Sequence, residues 1–365
     1  MEIKTKLKKR AQSKLADVDF DNLPFGRVFS DHMLVITYKD GQWEDGIIQP
    51  YEALALTPAI MTLHYGQAIF EGMKANKDTD GNILMFRPEL NIRRFNKSAE
   101  RMCMPTIPED VFLEKLQELI YLDSDWIPNK EGAALYIRPF MFGSDPYIGV
   151  KPSKTYHFVI FTCPVGPYYA NPVSVYAEDH YARAVNGGTG FTKAAGNYGG
   201  SLYPAKLAQE KGYDQVLWTD SNEHKYVQEI GTMNVFFVID DVVITPELND
   251  CILPGTTRQS VIELFKDQGV TVEERPLSID EIFEAHDKGV LQDCFGSGTA
   301  AAIIPIASLG AKDKKIELPP VEDRKYWSQM KERLLGIKLG TVEDKFNWTR
   351  KIAVPQVAGE NPSES

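Results

Sequence analysis

The chain has 365 residues, a formal net charge of −11 at pH 7 and an apolar fraction of 43%. This length and composition are typical of a globular protein of one or two domains. The acidic balance argues against general binding to nucleic acids or membrane surfaces, which needs a basic face. The 4 cysteines form no C-x-x-C pair, so we expect neither a zinc site nor a dense disulfide framework. No apolar run reaches the roughly 18 residues of a transmembrane helix.

The first half of the chain alternates short apolar runs with amphipathic segments. The alternation predicts strands where β-branched and aromatic residues cluster, and helices where apolar residues recur every three to four positions. A group of prolines and a glycine between 164 and 172 then indicates a connection between two domains. The predicted strands are 33–38, 83–86, 133–142 and 156–163, and the predicted helices are 88–102 and 109–123.

The second half continues the alternation and contains two glycine-rich stretches, 186–200 and 295–301. We interpret 295–301 as a turn, and 240–241 as the turn of a hairpin. A helix at 201–211 should face inward with Leu202, Ala205, Leu207 and Ala208. Ser278 and Glu281 form a capping box at the start of another helix. The remaining predictions are strands at 173–177 and 215–219, hairpin strands at 235–239 and 242–245, and helices beginning near 256 and 322.

These elements predict an α/β (α+β) protein of two domains. The predicted divisions are an N-terminal arm at 1–24, a small α/β domain at 25–166, an interdomain connection at 167–176, a large domain at 177–357 and a disordered tail at 358–365.

The stretch 186–200 is the strongest local signal in the chain. It contains six glycines and a single lysine, Lys193. Glycine at such density is typical of backbone that takes positive φ or lies close to another group. Phosphate cradling is one interpretation, but neither G-x-x-x-x-G-K-[ST] nor G-x-G-x-x-G occurs in a suitable context. The other interpretation is a lysine that binds a cofactor aldehyde covalently.

Pyridoxal 5′-phosphate needs a carboxylate at its ring nitrogen, a donor at its phenolic oxygen and cationic or N–H groups at its phosphate. Each need has a candidate. Glu229 precedes an apolar strand, Tyr198 follows the lysine by five residues, and Thr256 and Thr257 begin a helix whose free N–H groups suit a phosphate. Arg94 and Thr299 complete the set. Each of these residues alone is more often a surface group or a helix cap, so only their joint occurrence favours the cofactor.

Eight motifs in this order resemble those of the branched-chain amino-acid aminotransferases, which are fold type IV pyridoxal-phosphate enzymes. The resemblance runs from about Phe25 to Phe346. The motifs are Phe-Glu-Gly-Met-Lys-Ala (70–75), Phe-Arg-Pro-Glu-Leu-Asn (86–91), Leu-Tyr-Ile-Arg-Pro (135–139), Ala-Gly-Asn-Tyr-Gly (195–199), Gln-Val-Leu-Trp (215–218), Glu-Ile-Gly-Thr-Met-Asn (229–234), Ile-Leu-Pro-Gly (252–255) and Phe-Gly-Ser-Gly-Thr-Ala (295–300).

The resemblance implies a small N-terminal α/β domain and a larger C-terminal pseudo-barrel domain that binds pyridoxal 5′-phosphate. Lys193 matches the catalytic lysine, which binds the cofactor and moves a proton at the substrate α-carbon. Glu229 matches the partner of the ring nitrogen, and Tyr198 matches the donor to the phenolic oxygen. The remaining cofactor-binding matches are Arg94, Thr256, Thr257 and Thr299 at the phosphate, and Arg183 elsewhere in the cofactor site.

The resemblance also implies an apolar substrate pocket completed by a second copy of the chain. Arg138 and Tyr65, with N–H groups near Thr299 and Ala300, match the group that holds the substrate carboxylate. Ile148 and Val150 match a loop that closes the pocket from the other subunit, so we expect a homodimer. The matches to the pocket walls are Phe25, Tyr65, Phe70, Tyr136, Tyr168 and Ala300.

One departure concerns a redox-sensitive C-x-x-C of mammalian members, where this chain has Ala301 and Ile304. We therefore expect no thiol control there, and we expect a bacterial-type cytoplasmic enzyme with small-molecule partners, no nucleic acid, no membrane and no metal. The predicted reaction is ping-pong amino transfer from L-leucine, L-isoleucine or L-valine to 2-oxoglutarate. The alternatives are D-amino-acid aminotransferase, aminodeoxychorismate lyase and a non-catalytic protein that binds the same cofactor.

Overall fold

The computed structural model describes residues 3–130, 132–167, 171–300 and 302–352. Within these ranges the strands are β1 Thr5–Leu7, β2 His32–Lys39, β3 Gln42–Trp43, β4 Gly46–Pro50, β5 Ala68–Phe70, β6 Met73–Lys77, β7 Ile83–Phe86, β8 Ala134–Gly143, β9 Tyr156–Val165, β10 Val173–Ala177, β11 Gln215–Thr219, β12 Val227–Ile230, β13 Asn234–Ile239, β14 Val242–Thr245, β15 Val272–Glu274, β16 Leu291–Gly298, β17 Ala302–Ala311, β18 Lys314–Glu317 and β19 Thr349–Lys351.

The helices of the described chain are α1 Met61–Tyr65, α2 Pro88–Arg101, α3 Glu109–Leu122, α4 Ala195–Gly199, α5 Leu202–Glu210, α6 Thr256–Asp267, α7 Ile279–Asp287 and α8 Lys325–Leu339. Short 3₁₀ turns occur at Leu15–Asp17, Ser124–Trp126 and Val321–Asp323. No helix in the described ranges is long and apolar enough to span a bilayer. The strands and helices predicted from sequence periodicity are confirmed to within a few residues.

The strands form two sheets. The first has the order β1-β4-β2-β9-β8-β6-β7-β19, with β3 beside β2 and β5 beside β8. The second has the order β12-β11-β10-β17-β16-β13-β14-β15, with β18 beside β17. The second sheet mixes parallel pairs, such as β10 with β11 and with β17, and antiparallel pairs, such as β13 with β16. The predicted α/β class is therefore confirmed.

The domain boundaries stay a prediction, and two structural facts bear on them. Strand β10 begins at Val173, inside the predicted connection at 167–176. Strand β19 pairs with β7, so the end of the described chain returns to the first sheet. The predicted tail at 358–365 lies outside the described residues.

The first sheet is covered by α2 and α3, whose apolar faces pack against β9. Phe95, Phe112 and Phe158 are fully buried and meet edge to face, with ring centroids 4.8 to 5.5 Å apart. Such an aromatic cluster combines a large apolar area with favourable ring geometry. It fixes α2, which carries Arg94, against the sheet.

The second sheet is covered on both faces, which explains why β13 is apolar at successive positions. Val235 and Phe237 point into one core, with Ile282 of α7. Phe236 and Val238 point into the other, with α6 and α8. Because side chains alternate along a strand, a strand buried on both sides must be apolar throughout. The hairpin prediction is confirmed: Asp240 and Asp241 take φ of 50° and 60° in the turn.

Two local predictions are wrong. Leu202 is 71% exposed; the apolar cluster beneath α5 contains Ala205 and Ala208 against Val216 and Trp218, and Leu202 in the first turn of the helix is not part of it. The stretch 295–301 is not a turn throughout, because β16 continues to Gly298 and pairs with both β13 and β17. Glycines in that motif therefore lie mostly in a strand.

Candidate active site

A cavity of about 430 Å³ lies where β5 and β8 of the first sheet meet β16 and the start of α6 from the second. Eleven of the residues predicted for the site line it, together with backbone and side chains that the sequence did not single out. The predicted residues in its wall are Phe25, Phe70, Arg94, Tyr136, Arg138, Lys193, Tyr198, Thr256, Thr257, Thr299 and Ala300.

Lys193 projects into this cavity from a loop that Ser98 of α2 and Phe70 of β5 hold in place. Its backbone N–H donates to Ser98 Oγ (3.0 Å), and its carbonyl accepts from the N–H of Phe70 (3.0 Å). Its Nζ lies 2.9 Å from the hydroxyl oxygen of Tyr198 and 4.7 Å from the Phe70 ring centroid. The amine is thus positioned by a hydroxyl and an aromatic face rather than by a carboxylate.

Glycine at 190 is required by the packing of that loop. A Cβ there would lie 2.4 Å from the Cβ of Ala184 and 2.7 Å from the carbonyl oxygen of Asp250. By contrast, a Cβ at Gly196 or Gly199 would meet nothing within 4 Å in the single chain. The expected close approach of backbone to another group is therefore observed before the lysine and not after it.

Glu229 lies beneath the cavity wall and is 3% exposed. Its Oε1 accepts from the N–H of Leu253 (2.8 Å) and from Asn234 Nδ2 (3.3 Å). Burial raises the pKa of this carboxyl, while Arg183, the Leu253 N–H, Lys193 and Arg94 lower it. The opposing charges and hydrogen bonds offset part of the cost of keeping a buried carboxylate ionised.

Arg183 does not line the cavity; it lies behind Glu229. Its Nε is 3.0 Å from Glu229 Oε2 but is not directed for a hydrogen bond. Its Nη2 donates to the carbonyls of Gly190 (3.2 Å) and Cys251. Arg183 therefore joins the loop before Lys193 to the carboxylate of Glu229.

Arg94 reaches the cavity as half of a buried ion pair. Its Nε and Nη2 make three hydrogen bonds of 2.8 to 3.1 Å to Glu71, which is fully buried, and its Nη1 donates to the Pro254 carbonyl (3.0 Å). Glu71 also accepts from Asn91 Nδ2 (2.6 Å). Arg94 is therefore rigidly placed and its charge is largely compensated by Glu71.

Helix α6 begins at the cavity with Thr256 and Thr257. No side chain in the described ranges caps its first turn, so its free N–H groups and the positive end of its dipole point to a site for an anion. Residue 255 has to be glycine, because a Cβ there would lie 2.1 Å from Asn234 Oδ1. The close fit holds the start of α6 against Asn234, which donates to Glu229.

Arg138 supplies a cation at the other end of the cavity from α6, where aromatic rings form the wall. Its guanidinium lies 4.8 Å from the Phe70 ring centroid, and its Nη2 donates to the Tyr136 hydroxyl (3.1 Å). Its buried Nε has no hydrogen-bond partner, and none of the ion pairs in the described chain involves it. Phe25 packs edge to face on Tyr136, with centroids 5.1 Å apart. A cation without a carboxylate partner, set among aromatic rings, can receive the carboxylate of an apolar molecule.

Three described residues that were predicted for the substrate are not brought to the cavity of the single chain. Tyr65, Ile148 and Val150 are 42%, 64% and 87% exposed and lie outside its wall. Tyr168 falls outside the described residues. In the described part of the chain, no group of three or more His, Cys, Asp or Glu side chains could hold a metal ion.

Sequence reasoning missed three residues that hold the site together: Glu71, Ser98 and Asn234. Glu71 and Asn234 stand inside two of the motifs that carried the resemblance. Both are polar residues with apolar neighbours in the sequence, and this pattern could have indicated that they are buried. Ser98 lies on α2 between Lys97 and Ala99 and gave no comparable signal.

Comparisons with known proteins agree with this geometry. Residues 68–309 match the family of class IV amino-transferases. A branched-chain-amino-acid aminotransferase of Bacillus subtilis (strain 168) is 46% identical over 339 residues, which are 92% of this chain and 93% of the relative. Among solved structures, a branched-chain aminotransferase of Thermoproteus uzoniensis with norvaline has a TM-score of 0.72 and 25% identity, and covers 88% of this chain and 100% of its own.

The branched-chain amino acid aminotransferase of Escherichia coli gives a TM-score of 0.70 at 26% identity, covering 88% of this chain and 99% of its own. The chain therefore belongs to the class IV aminotransferases, within their branched-chain amino-acid group. The predicted family, the fold type IV architecture and the assignment as a transaminase are confirmed.

Proposed function

We propose that the chain transfers the amino group of L-leucine, L-isoleucine or L-valine to 2-oxoglutarate by a ping-pong route, with pyridoxal 5′-phosphate bound at Lys193. The observation that carries the proposal is the position of Lys193 Nζ, 2.9 Å from the Tyr198 hydroxyl, in a cavity that ends at the uncapped start of α6. We also propose that it works in the cytoplasm, because its 4 cysteines, which form no C-x-x-C pair, fit a reducing compartment.

The chemistry of the donor set fits the cofactor. The first-turn N–H groups at Thr256 and Thr257, with Thr299, would hold its phosphate. Tyr198 would donate to its phenolic oxygen, and Glu229, beneath the wall, would accept from the ring nitrogen. Once bound, the cofactor supplies an aldehyde for the amino group and a ring that takes up the electron pair of the substrate α-carbon.

Lys193 is also the base that the cavity offers for the α-proton. Its amine contacts a neutral hydroxyl and aromatic rings, and no carboxylate of the described chain pairs with it. Because no ion pair holds the amine elsewhere, it is free to act on the α-carbon of a bound substrate. Tyr198 orients it.

The aromatic end of the cavity supports an apolar substrate. Arg138 would bind the α-carboxylate, and Phe25, Phe70 and Tyr136 would bury an aliphatic side chain at roughly 25 cal/mol for each Å² removed from water. The Thermoproteus uzoniensis relative was solved with norvaline, an amino acid with such a side chain. We propose that 2-oxoglutarate enters the same cavity in the second half-reaction.

We propose further that a homodimer completes the cavity. The loop that contains Ile148 and Val150 exposes 64% and 87% of these apolar side chains. Apolar residues grouped on one exposed loop often mark an interface. In the proposed dimer this loop covers the open side of the cavity in the other subunit, near Tyr65.

A spectral titration of the purified holoenzyme tests the proposal. We expect L-leucine, L-isoleucine and L-valine to convert the visible absorbance of the bound cofactor, 2-oxoglutarate to restore it, and D-leucine and D-alanine to leave it unchanged. Conversion by the D-amino acids would favour a D-amino-acid aminotransferase. No change with any amino acid would favour a non-catalytic protein.

A further inference from the structure

A second cavity, of about 160 Å³, lies between β6, the start of β17 and helix α8. It is lined by three lysines, Lys74 of β6 and Lys331 and Lys338 of α8. None of the residues that line it in the described part of the chain is acidic. This local charge is unexpected in a chain whose net charge is −11.

The three ammonium groups have no carboxylate partner among the described ion pairs. Lys74 Nζ donates to the carbonyl of Ala300 (3.1 Å). Lys338 Nζ lies 5.0 Å from the ring centroid of Phe86, and Lys331 Nζ lies 5.4 Å from that of Trp327. Lys74 and Lys338 are half-buried and Lys331 is exposed. Carbonyl and ring contacts compensate the two half-buried charges only in part.

Burial lowers the pKa of Lys74 to about 8. It lowers the pKa of Lys338 to about 7, with a further contribution from the charge of Lys74. A small neighbouring cavity also contains both lysines, and there β7, α2 and α6 contribute only neutral side chains. A bound anion would remove the repulsion between the two lysines.

Apart from Asn76, the other described residues of the wall are apolar or glycine. Ile303 and Ile304 of β17 line it together with Leu334 and Leu335 of α8. Ile303 packs with Leu334 in the core beneath α8, and Ile304 packs in the core on the other face of the sheet. An anion without a hydrocarbon part, such as inorganic phosphate, would leave this surface unused. A molecule with one anionic head and a short aliphatic body would use both parts of the wall.

We propose that this cavity is a binding site for a small aliphatic carboxylate, with the carboxylate on Lys74 and Lys338 and the aliphatic body between β17 and α8. Its lining includes neither Lys193 nor Arg138, and only Ala300 lines both this cavity and the active-site cavity. The small neighbouring cavity that contains Lys74 and Lys338 also reaches Thr256, Thr257 and Thr299 of the active-site wall. The proposal does not depend on the substrate specificity proposed above.

Calorimetric titration of the holoenzyme with 4-methylpentanoate tests this site. The variant Arg138→Met is used as the background, because the active site could bind the same molecule. We expect one equivalent per chain to bind in this background, and Lys338→Met or Lys74→Met to weaken it at least about tenfold. Lys325→Met, an exposed lysine of the same helix, is the matched control and should leave the affinity unchanged.

Absence of this equivalent, or an affinity that neither Lys338→Met nor Lys74→Met alters, would overturn the proposal. Two related probes test the ligand class. We expect 4-methylpentan-1-ol and inorganic phosphate each to bind at least about tenfold more weakly than the carboxylate. If the alcohol binds as tightly as the carboxylate, the role of the lysines is overturned. If phosphate binds as tightly, the role of the apolar wall is overturned. Affinity should fall from pH 6.5 to 9.5 as the lysines lose their protons, and an affinity independent of pH would count against the site.

Discussion

Arg183 Nε lies 3.0 Å from Glu229 Oε2, behind the wall of the active-site cavity. The pair places a fixed positive charge against a carboxyl whose pKa burial raises. Arg183 would therefore act on the proposed cofactor site through Glu229 rather than by touching the cavity.

Replacing Arg183 with methionine should shift the pH dependence of the half-reaction with L-leucine. Glu229 has to be ionised to hold a proton on the ring nitrogen, so the rate is present above its pKa and lost as the pH falls through it. Without the arginine charge the pKa of Glu229 rises further, and the acidic limb of the pH–rate profile should move up by about one pH unit or more. Arg183→Lys keeps the charge and should stay near the parent; a methionine profile that superimposes on the parent would refute this role.

Glu229→Gln should slow the same half-reaction at least about a hundredfold, because a neutral amide cannot hold the ring proton. The substitution keeps the size of the side chain, and the Leu253 N–H still has an oxygen acceptor. Stopped-flow absorbance measures the rate, and the cofactor content of the purified variant is the control. A rate within about twofold of the parent would exclude the proposed role.

Arg138→Met should raise the KM for L-leucine at least about thirtyfold, since it removes the cation that receives the α-carboxylate. Steady-state kinetics with saturating 2-oxoglutarate checks this. Tyr136→Phe removes only the hydroxyl that accepts from Arg138, and should have a smaller effect in the same direction. Unchanged KM in Arg138→Met would show that the carboxylate binds elsewhere.

Glu71→Gln should destabilise the fold by about 3 kcal/mol, because it leaves the guanidinium of Arg94 buried without its carboxylate. Urea unfolding of the purified protein measures the loss. The neighbouring pair Arg93 and Glu109 is a matched control, with side chains 58% and 48% exposed, and Glu109→Gln should cost less than about 1 kcal/mol. Equal losses in the two variants would contradict the importance given to burial.

Lys193→Ala should abolish conversion of the cofactor absorbance by L-leucine while the protein stays folded. Lys206→Ala, at an exposed position of α5 with a side chain 69% exposed, is the control and should retain the parent rate. Circular dichroism distinguishes lost chemistry from lost structure. Normal turnover by Lys193→Ala would contradict its assignment.

Local patterns predicted much of the fold because their causes are local. Apolar periodicity located α2 and α3. Half of the predicted capping box is observed: Ser278 Oγ accepts from the Glu281 N–H (3.1 Å), while the Glu281 carboxylate accepts from Arg275. The error at Leu202 arises because periodicity identifies one face of a helix but not how far along that face a neighbouring strand extends. Pairing of β19 with β7 joins segments far apart in the chain, which no local pattern encodes.

The candidate site was predictable where motif and chemistry agreed. Lys193 and Tyr198 are five residues apart, so one loop and a short helix bring them together. The partners of Arg94 and Glu229 were not predictable, because Glu71 and Arg183 reach them only through the folded chain. Charge compensation of this kind depends on three-dimensional contacts between residues that are separated in sequence.

The most direct test of the central claim is to locate the covalent attachment of the cofactor. The holoenzyme is reduced with sodium borohydride, digested, and examined by peptide mass spectrometry, with an unreduced sample as control. We predict a pyridoxyl-phosphate adduct on Lys193 and on no other lysine. An adduct on a different lysine, or no adduct in a protein that contains the cofactor, would contradict the account.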